Sequence, residues 1–394
     1  MNISNIHNCF GCGLCAIVCT RKLIEIQLNE NGFYEPVFVG ADSCIDCGLC
    51  VEVCSYQDDR LALTNEIISS YGAWSKSVEV RKKCSSGGVA FELGKLLLGK
   101  GYKVCGVKYD ASKELVFHYI ANNERELEAS IGSKYLQSYT VDAFRMIDRK
   151  KKYLVTGSPC QIDSFRRYIR KFKVEDNFVL LDFFCHGVPS MLMWRKYFGG
   201  LKSKYGGIGK VIWRDKTEGW HNAYSIKAFS TNDGLLHTGL FSKGDAFFRL
   251  FLGNGCLGWA CYDRCKFRYN QSSADIRIGD AWGTTYQGNE LGVNAVIAFT
   301  QKGDNLLHEA NLVLEVQPFE VIAEGQLKKR IKRIKEYGDI MVSLKDNSKS
   351  LCEVVSIMDK HDLYEKLIYK MNLIIHPYKT MKCIVRKLSK WLTK

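Results

Sequence analysis

The chain has 394 residues, of which 46% are hydrophobic and 25% are charged, a composition that suits a globular protein of two or three domains. It contains only 5 prolines and no low-complexity run, which argues against long disordered linkers. Much of the formal net charge of +14 lies in residues 327–336 and 379–394. This local excess of positive charge has two interpretations. It is an ordinary solvated surface, or it is a docking surface for an acidic partner or an anionic membrane. It disfavours a nucleic-acid groove, and we expect no nucleic-acid partner.

The N-terminus reaches Cys9 without a basic region or an apolar stretch, and no segment approaches the ~18 apolar residues of a membrane span. The 17 cysteines are therefore expected in a reducing compartment, where thiolates hold metals. We expect a cytoplasmic protein.

Residues 9–19 and 44–54 share one cysteine spacing, C-x2-C-x2-C-x3-C. In two-cluster ferredoxins each run supplies three thiolates to one [4Fe–4S] cluster and its last thiolate to the other. Structural zinc instead takes cysteine pairs separated by a longer spacer. The spacing thus predicts one cluster on Cys9, Cys12, Cys15 and Cys54, and a second on Cys44, Cys47, Cys50 and Cys19. Between the runs, residues 23–28 and 33–39 flank an Asn-Gly turn and predict a β-hairpin.

After a connector at residues 60–70, the segment Cys84-Ser-Ser-Gly-Gly88 precedes a predicted helix and a strand at 103–109. Serines and glycines ahead of a helix expose backbone N–H groups at its positive end, which suits a phosphate. Serine also simply caps helices, so this motif leaves both interpretations open. Residues 132–139 then crowd polar and aromatic side chains into a predicted loop.

Two strand–turn–helix units follow. The strands at 152–156 and 178–184 lead into the turns 157–161 and 185–190, and then into helices that end near 172 and 205. Apolar strands that alternate with helices indicate a parallel sheet covered on both faces, with ligands at the carboxyl ends of its strands. Further predicted elements are strands at 210–215 and 223–229, a helix at 245–252, a βα pair at 293–299 and 302–313, a basic helix at 324–337, and helices within 350–394.

A second cysteine group consists of Cys256, Cys261 and Cys265. It is either a third metal site or a set of buried or reactive thiols. As a metal site it needs a fourth ligand from a distant segment, and the candidates are Cys160, Cys185 and Cys84. A radical-SAM enzyme is excluded because its C-x3-C-x2-C motif fails where Lys22, Gln57 and Arg268 stand in place of the third cysteine.

Five motifs, taken in order over roughly residues 1–300, resemble the coenzyme F420 hydrogenase/dehydrogenase beta-subunit family of iron–sulfur flavoproteins. They are Cys84-Ser-Ser-Gly-Gly, Gly132-Ser-Lys-Tyr, Gly157-Ser-Pro-Cys-Gln-Ile, Cys185-His-Gly-Val-Pro-Ser and Ala274-Asp-Ile-Arg-Ile-Gly-Asp-Ala-Trp-Gly. The resemblance implies FAD, iron–sulfur clusters and two-electron exchange with a reducible organic substrate. Some bacterial relatives accompany enzymes of surface-polysaccharide synthesis.

The resemblance also implies site residues. Lys134 would neutralise phosphate, and Tyr135 would cover an aromatic ring. His186 is either a proton donor to the substrate or a structural histidine. Cys160 is a cluster ligand, a thiol beside the flavin or a plain turn residue, and we expect it to share the catalytic site with His186. The expected FAD-binding residues are Ser85, Ser86, Gly87, Gly88, Ser133, Lys134, Tyr135, Gln137, Gly157, Ser158, Pro159 and Gln161.

The fold expected is an α+β two-cluster ferredoxin domain fused to an α/β flavin-binding reductase body with a mostly parallel sheet. The domains are residues 1–59 (ferredoxin), 71–150 and 151–320 (the two parts of the body) and 321–394 (a basic helical tail).

The protein is then an FAD- and [4Fe–4S]-dependent oxidoreductase that exchanges electrons with a donor protein or a reduced coenzyme and acts on a small organic substrate. Two alternatives are a non-catalytic electron-transfer subunit of a larger complex and a scaffold that docks through its basic tail. At residues 379–394, apolar side chains at helical spacing either pack on the protein itself or contact the inner membrane face or a partner enzyme.

Overall fold

The computed structural model describes residues 2–40, 43–63 and 66–359, and the structural statements below concern these residues. Its N-terminal module contains helices α1 (Leu14–Val18) and α2 (Leu49–Glu52) and strands β1 (Ile24–Leu28) and β2 (Tyr34–Phe38). The two strands pair antiparallel, which confirms the predicted hairpin. Gly13 and Gly48 precede the helices with φ of 79° and 77°. This left-handed conformation costs a glycine little, and it lets the chain turn sharply after the second cysteine of each run.

The body is built on one nine-stranded sheet. The strand order is β14-β3-β13-β12-β8-β7-β4-β5-β6. The strands are β3 (Ser69–Ser75), β4 (Lys103–Asp110), β5 (Leu115–Ala121), β6 (Ser138–Tyr139), β7 (Tyr153–Thr156), β8 (Phe178–Phe183), β12 (Ile276–Asp280), β13 (Asn294–Ala298) and β14 (Leu312–Val316).

The prediction of a mostly parallel sheet is wrong for the sheet as a whole. Strands β4, β7, β8 and β12 run parallel to one another, as the strand–turn–helix pattern predicts. However, β13 pairs antiparallel with both β12 and β3, and β3 pairs antiparallel with β14. In addition, β4 forms an antiparallel hairpin with β5. Two of these strands, β3 and β14, fall where the sequence indicates a connector and a helix end. The sheet is therefore mixed, with a parallel centre.

Helices cover both faces of this sheet. They are α3 (Val78–Lys83), α4 (Val89–Gly99), α5 (Glu124–Leu127), α6 (Val141–Arg145), α7 (Pro159–Lys171), α8 (Met191–Tyr205), α11 (Gln301–Glu309) and α12 (Phe319–Ile322). α7 and α8 follow the turns 157–161 and 185–190 as predicted. No helix among those described has the length and apolar character that a bilayer-spanning segment needs.

A second layer lies beside the body. It consists of a three-stranded antiparallel sheet, β9 (Ile208–Trp213), β10 (Ser225–Ser230) and β11 (Leu235–Leu240), with helices α9 (Ala246–Leu252), α10 (Trp259–Asp263) and α13 (Tyr337–Lys345). An aromatic core that includes Trp194, Trp213 and Phe247 joins this sheet to α8 and α9.

The predicted basic helix at 324–337 is wrong, because residues 327–334 have no regular structure and α13 begins only at Tyr337. Residues 351–359 are helical, which agrees with the expected tail helices as far as the description extends. The amphipathic stretch 379–394 lies outside the described residues.

A buried ion pair joins two neighbouring central strands. Arg277 on β12 lies beside Asp182 on β8, and both side chains are 0% exposed. Arg277 donates from Nε to Asp182 Oδ1 and from Nη2 to Oδ2, each at 2.7 Å. This two-pronged geometry satisfies both charged groups where water does not reach them.

Replacement of Asp182 by Ala leaves the Arg277 guanidinium buried without its counter-charge. We expect the free energy of unfolding to fall by about 3–5 kcal/mol, measured by urea denaturation of the cofactor-loaded protein without oxygen. The control Glu128→Ala removes the exposed partner of Lys83 and should cost at most about 1 kcal/mol. Asp182→Leu combined with Arg277→Met should recover part of the loss, since both charges are then gone. Equal costs for the two single variants would contradict this account.

Candidate functional site

The first set of cysteines, Cys9, Cys12, Cys15 and Cys54, lines one small internal cavity. Burial raises the pKa of the Cys54 thiol to about 11, and the nearby Cys12 thiol raises it further. Burial also holds the pKa of Cys15 well above its ordinary range, with added repulsion from Cys12, Cys9 and Cys54. We call these residues the inner set. Three members come from the first run and one from the second, as the crossed ferredoxin pattern predicts.

The other four cysteines of the module are Cys19, Cys44, Cys47 and Cys50, and we call them the outer set. Cys50 is buried, and Cys19 and Cys44 are half-buried. Cys47 is exposed. Backbone amides point at two of the sulfurs: Asp46 N donates to Cys44 Sγ and Leu23 N to Cys19 Sγ, each at 3.4 Å. Such bonds are among the groups that tune an iron–sulfur cluster.

Within the described chain, no three His, Cys, Asp or Glu side chains are arranged to hold a single metal ion. A cubane has a different requirement, because its four thiolates surround a cube and each binds a different iron.

Four further thiols, from three distant segments, lie together behind the module. Burial raises the pKa of the Cys160 thiol well above its ordinary value, and the neighbouring thiols of Cys185, Cys261 and Cys12 raise it further. Burial raises the pKa of Cys261 to about 12, with added repulsion from Cys185 and Cys265. We call Cys160, Cys185, Cys261 and Cys265 the third set.

Cys256 is not part of this set, contrary to the sequence prediction. Its side chain is 0% exposed within the aromatic core, and its Sγ lies 3.4 Å from Met193 Sδ. Burial raises its pKa to about 12 without a contribution from a neighbouring thiol. It is a core residue, and Cys160 and Cys185 stand with Cys261 and Cys265 instead.

A cavity of about 510 Å³ opens at the carboxyl ends of the central strands, where the parallel-strand argument places a ligand. The three segments 84–88, 132–138 and 157–161 all contribute to its lining, although they are far apart in sequence. Phe10, which follows Cys9, and Cys185 of the third set also line it. The cavity therefore borders the third set directly, and it reaches the residue next to the inner set.

Two helix N-termini form one side of this cavity. Gly88, Val89 and Phe91 at the start of α4 line it, as do Gly157 and Ser158 at the start of α7. Ser133 N donates to Ser85 Oγ at 2.8 Å, which ties the loop 132–138 to the serine motif. The first N–H groups of a helix lack partners within the helix and can face an anion. In α4, Val89 N instead donates to Asn294 Oδ1, and α7 begins with Pro159, which has no N–H. The candidate donors to an anion are therefore the N–H groups of Ala90 and Phe91, which also line the cavity. Gly87 and Pro159 do not line the cavity.

Lys134 is not free to neutralise a phosphate. Its Nζ donates to the backbone oxygens of Ser130, Ile131 and Gly132 at 2.7, 2.9 and 3.0 Å. Burial lowers the pKa of its ammonium to about 7. The side chain therefore shapes the loop 129–136 from within.

Two glutamines expected to bind the cofactor are also engaged within the protein. Gln137 accepts from Tyr34 N at 2.8 Å and donates to Phe10 O at 3.2 Å, which joins the N-terminal module to the body. Gln161 accepts from Ser158 N at 2.9 Å and donates to Ser138 Oγ at 3.1 Å. Both line the cavity, but their polar groups hold the wall together.

The opposite side of the cavity is aromatic. Tyr135 packs against Phe251 and Phe248 with ring centroids 5.3 and 5.8 Å away, and Phe183 and Phe267 are further lining residues. Aromatic rings suit a planar ligand, as the sequence prediction for Tyr135 proposes.

His186 also lines the cavity, with its ring against Phe251, and burial lowers the pKa of its imidazole. Its Nε2 is buried without a hydrogen-bond partner in the described part of the chain. Cys160, in contrast, does not line the cavity. The prediction that it shares a catalytic site with His186 therefore does not agree with the structure.

Sequence reasoning missed the group around Asp280. This carboxylate ends β12 and accepts from Arg214 Nη1 at 2.9 Å and from Trp220 Nε1 at 3.0 Å. Arg214 in turn lies over the rings of Tyr224 and Trp282. The motif Gly-Asp-Ala-Trp-Gly at the end of a strand is the signal that could have indicated it.

Comparisons with known proteins agree with this geometry. Residues 8–57 match the model of the 4Fe-4S dicluster domain, so the N-terminal module is that of an iron–sulfur electron-transfer protein. Residues 150–321 match the model that describes the C terminus of the coenzyme F420 hydrogenase/dehydrogenase beta subunit. The resemblance to that family is thereby confirmed, and the chain joins its C-terminal domain to a dicluster module.

A search of curated proteins found no match. Among solved structures, a chain of the F420-reducing [NiFe] hydrogenase complex from Methanosarcina barkeri, studied by xenon derivatization, is 17% identical with a TM-score of 0.45. The alignment covers 75% of this chain and 91% of that one.

The carbonyl cage around Lys134 makes a testable prediction. Lys134→Met removes the ammonium from several buried oxygens, so the loop 129–136 should loosen. We expect its backbone amides to exchange hydrogen at least about tenfold faster, equivalent to ~1.4 kcal/mol of lost protection. The control Lys113→Met alters an exposed turn and should leave that loop unchanged. Unaltered exchange in Lys134→Met would show that the cage does not hold the loop.

Proposed function

We propose that this protein is an iron–sulfur flavoprotein oxidoreductase that exchanges electrons between its cysteine-bound clusters and an organic substrate in the 510 Å³ cavity. The observation that carries the proposal is that the cavity is lined by Cys185 of the third set and by Phe10, the neighbour of Cys9 in the inner set, together with the starts of two helices. A plain relay subunit needs cysteine sets but no ligand cavity. A scaffold needs neither.

The cavity fits a flavin nucleotide in volume and in chemistry. Ligand pockets usually enclose about 300–1,000 Å³. The N–H groups of Ala90 and Phe91 in the first turn of α4 would face the diphosphate, with Ser85 and Ser133 beside them. The aromatic residues around Tyr135 would accept the ring system. Bound FAD would supply the exchange between hydride and single-electron chemistry. The protein would bind it, orient it and exclude water.

The third set fits a [4Fe–4S] cluster. Four thiols converge, and burial together with the neighbouring thiols raises the pKa of Cys160, Cys185 and Cys261, which disfavours their thiolates. Iron removes that obstacle because it stabilises thiolates directly. Arg268 and Arg277 lie near Cys185, where their positive charge opposes the effect of burial on its pKa. These charges would offset part of the negative charge of a thiolate-bound cluster.

The three sets follow one another as a row in which the inner set is the middle member. It shares both cysteine runs with the outer set, whose Cys47 is exposed, and its Cys12 lies near Cys160 of the third set. Cys12 of the inner set and Cys160 of the third set lie on the same side of α7, where Cys12 Sγ is 3.2 Å from Ser164 Oγ. This order suits the passage of electrons between solvent and a ligand in the cavity.

The first experiment measures iron, sulfide and flavin in protein purified without oxygen. We expect about twelve irons and one FAD per chain, since each cubane carries four irons. About eight irons with FAD would remove the third cluster but keep the reductase. Clusters without flavin, together with no reduction of any small acceptor, would contradict the proposal and favour an electron-transfer subunit or a scaffold.

Single cysteine replacements test the composition of the third set. Cys185→Ser and Cys261→Ser should each lower the iron content from about twelve to about eight per chain. Cys256→Ser is the matched control, because it lies in the same segment but in the aromatic core, and it should keep all its iron. A loss of iron in Cys256→Ser alone would overturn this assignment.

A further inference from the structure

Residues 327–334 form an exposed cationic segment that we call the basic strap. It runs without regular structure between α12 and α13, and it lies beyond residues 150–321, which match the family model. Five of its eight residues are basic, and all five are exposed: Lys328, Lys329, Arg330, Lys332 and Arg333.

The strap lies across α10, the short helix that carries Cys261. Arg333 places its guanidinium carbon 3.8 Å from the centre of the Trp259 ring, at the start of α10. Arg330 donates to the backbone oxygen of Asp263 at its end. α10 has five residues and rises ~1.5 Å per residue, and Cys261 is its middle residue. A segment that contacts both ends of this helix therefore passes within about one helix diameter, roughly 10–12 Å, of Cys261. It therefore lies next to the helix that supplies Cys261 to the third set.

The strap cations have no carboxylate partner among residues 2–40, 43–63 and 66–359. In the described residues, no ion pair links any of its five cations to a carboxylate, whereas exposed lysines elsewhere, such as Lys83 and Lys95, pair with Glu128 and Glu124. Arg330 and Arg333 contact a backbone oxygen and aromatic rings instead. Uncompensated like charges in one short segment repel one another, so they favour an acidic partner that docks there.

We propose that the basic strap is the docking surface for an acidic electron-carrier protein, which exchanges electrons with the third set through α10. The proposal rests on the proposed function. In each transfer one electron leaves the reduced carrier, which becomes oxidised, and reduces this chain by one electron. No bond and no proton moves.

The extent and composition of the surface favour a protein over a small anion. Eight extended residues span up to about 26 Å, which exceeds the needs of a small ligand. Trp259, 37% exposed beneath Arg333, adds an aromatic anchor, and Trp and Arg are the residues that most often dominate protein interfaces.

A membrane is disfavoured because Ile331 of the strap is buried and Ile334 is partly buried, which leaves Leu327 as the single exposed apolar side chain of the strap. A helix that binds at a membrane surface instead presents apolar side chains to the lipid.

The test compares two reductants in stopped-flow experiments on the cofactor-loaded protein. The first is a reduced acidic [2Fe–2S] ferredoxin, and the second is reduced methyl viologen, which needs no docking surface. The strap variant is Lys328→Glu, Lys329→Glu and Lys332→Glu combined. We expect it to slow reduction by ferredoxin at least tenfold at low ionic strength and to flatten its salt dependence, with the viologen rate unchanged.

Two matched controls locate the surface. Lys113→Glu, Lys150→Glu and Lys151→Glu combined make the same change in net charge on other exposed turns and should alter the ferredoxin rate less than twofold. Arg21→Glu with Lys22→Glu reverses charge beside the outer set and should also have little effect. If this pair slows ferredoxin and the strap variant does not, docking occurs at the outer set and the proposal is wrong.

Other outcomes separate this proposal from the function on which it rests. If viologen does not reduce even the unaltered protein, the proposed function fails and the docking proposal fails with it. If viologen reduces every variant and ferredoxin reduces the strap variant at the unaltered rate, docking alone is overturned. Loss of binding to phosphatidylglycerol vesicles in the strap variant, at an unaltered ferredoxin rate, would assign the strap to a membrane.

Discussion

The contact between the ferredoxin module and α7 is the constraint on which the rest of the structure depends. Ser164, 0% exposed on α7, places its Oγ 3.2 Å from both Cys12 Sγ and Ser55 N. Ser55 Oγ in turn donates to the backbone oxygen of Cys160 at 3.2 Å. These bonds bring the inner set against the first turn of the helix that carries a member of the third set. Together with the bonds of Gln137 to Tyr34 and Phe10, they make the module part of the body and not a separate ferredoxin on a linker.

Buried charges fix this contact. Asp163, also 0% exposed, accepts from Ala62 N at 2.7 Å and from Arg167 Nε at 3.0 Å, and Arg167 reaches Asp58 at 2.9 Å. Through these bonds the segment that follows the second cysteine run is held to α7. A buried carboxylate with several donors favours one arrangement strongly, because any other leaves a charge unpaired. The row of cysteine sets is therefore held by electrostatics as well as by packing.

The sequence predicts what depends on local spacing and little of what depends on distant partners. The crossed cysteine pattern and the two strand–turn–helix units follow from periodicity, and the structure contains both. The antiparallel strands β3 and β14 could not be predicted, since their pairing is set by strands more than 200 residues away. Cys256 and Cys261 have similar local sequences, and only the packing of α8 places one in the core. The hydrogen bonds from Lys134 to the backbone oxygens of Ser130, Ile131 and Gly132 depend on the folded loop, and no sequence motif indicates them.

The contacts that the cationic side chains near the cavity already make determine how an anion would be bound there. Lys134 is held by the carbonyls of its own loop, and Lys216 by those of Ser86 and Leu291 at 3.0 and 2.7 Å. Arg214 is neutralised by Asp280. The cations near the serine wall are thus committed to shaping it. Arg268 also lines the cavity, and its Nε and Nη2 are buried without a hydrogen-bond partner among the described residues. An anion would therefore meet this guanidinium and the backbone N–H groups in the first turn of α4. Backbone donors are fixed in position and carry only a partial charge, so they suit a ligand whose place is set by geometry. The lysines of the basic strap are instead exposed to solvent, from which a partner must approach and into which it must dissociate again.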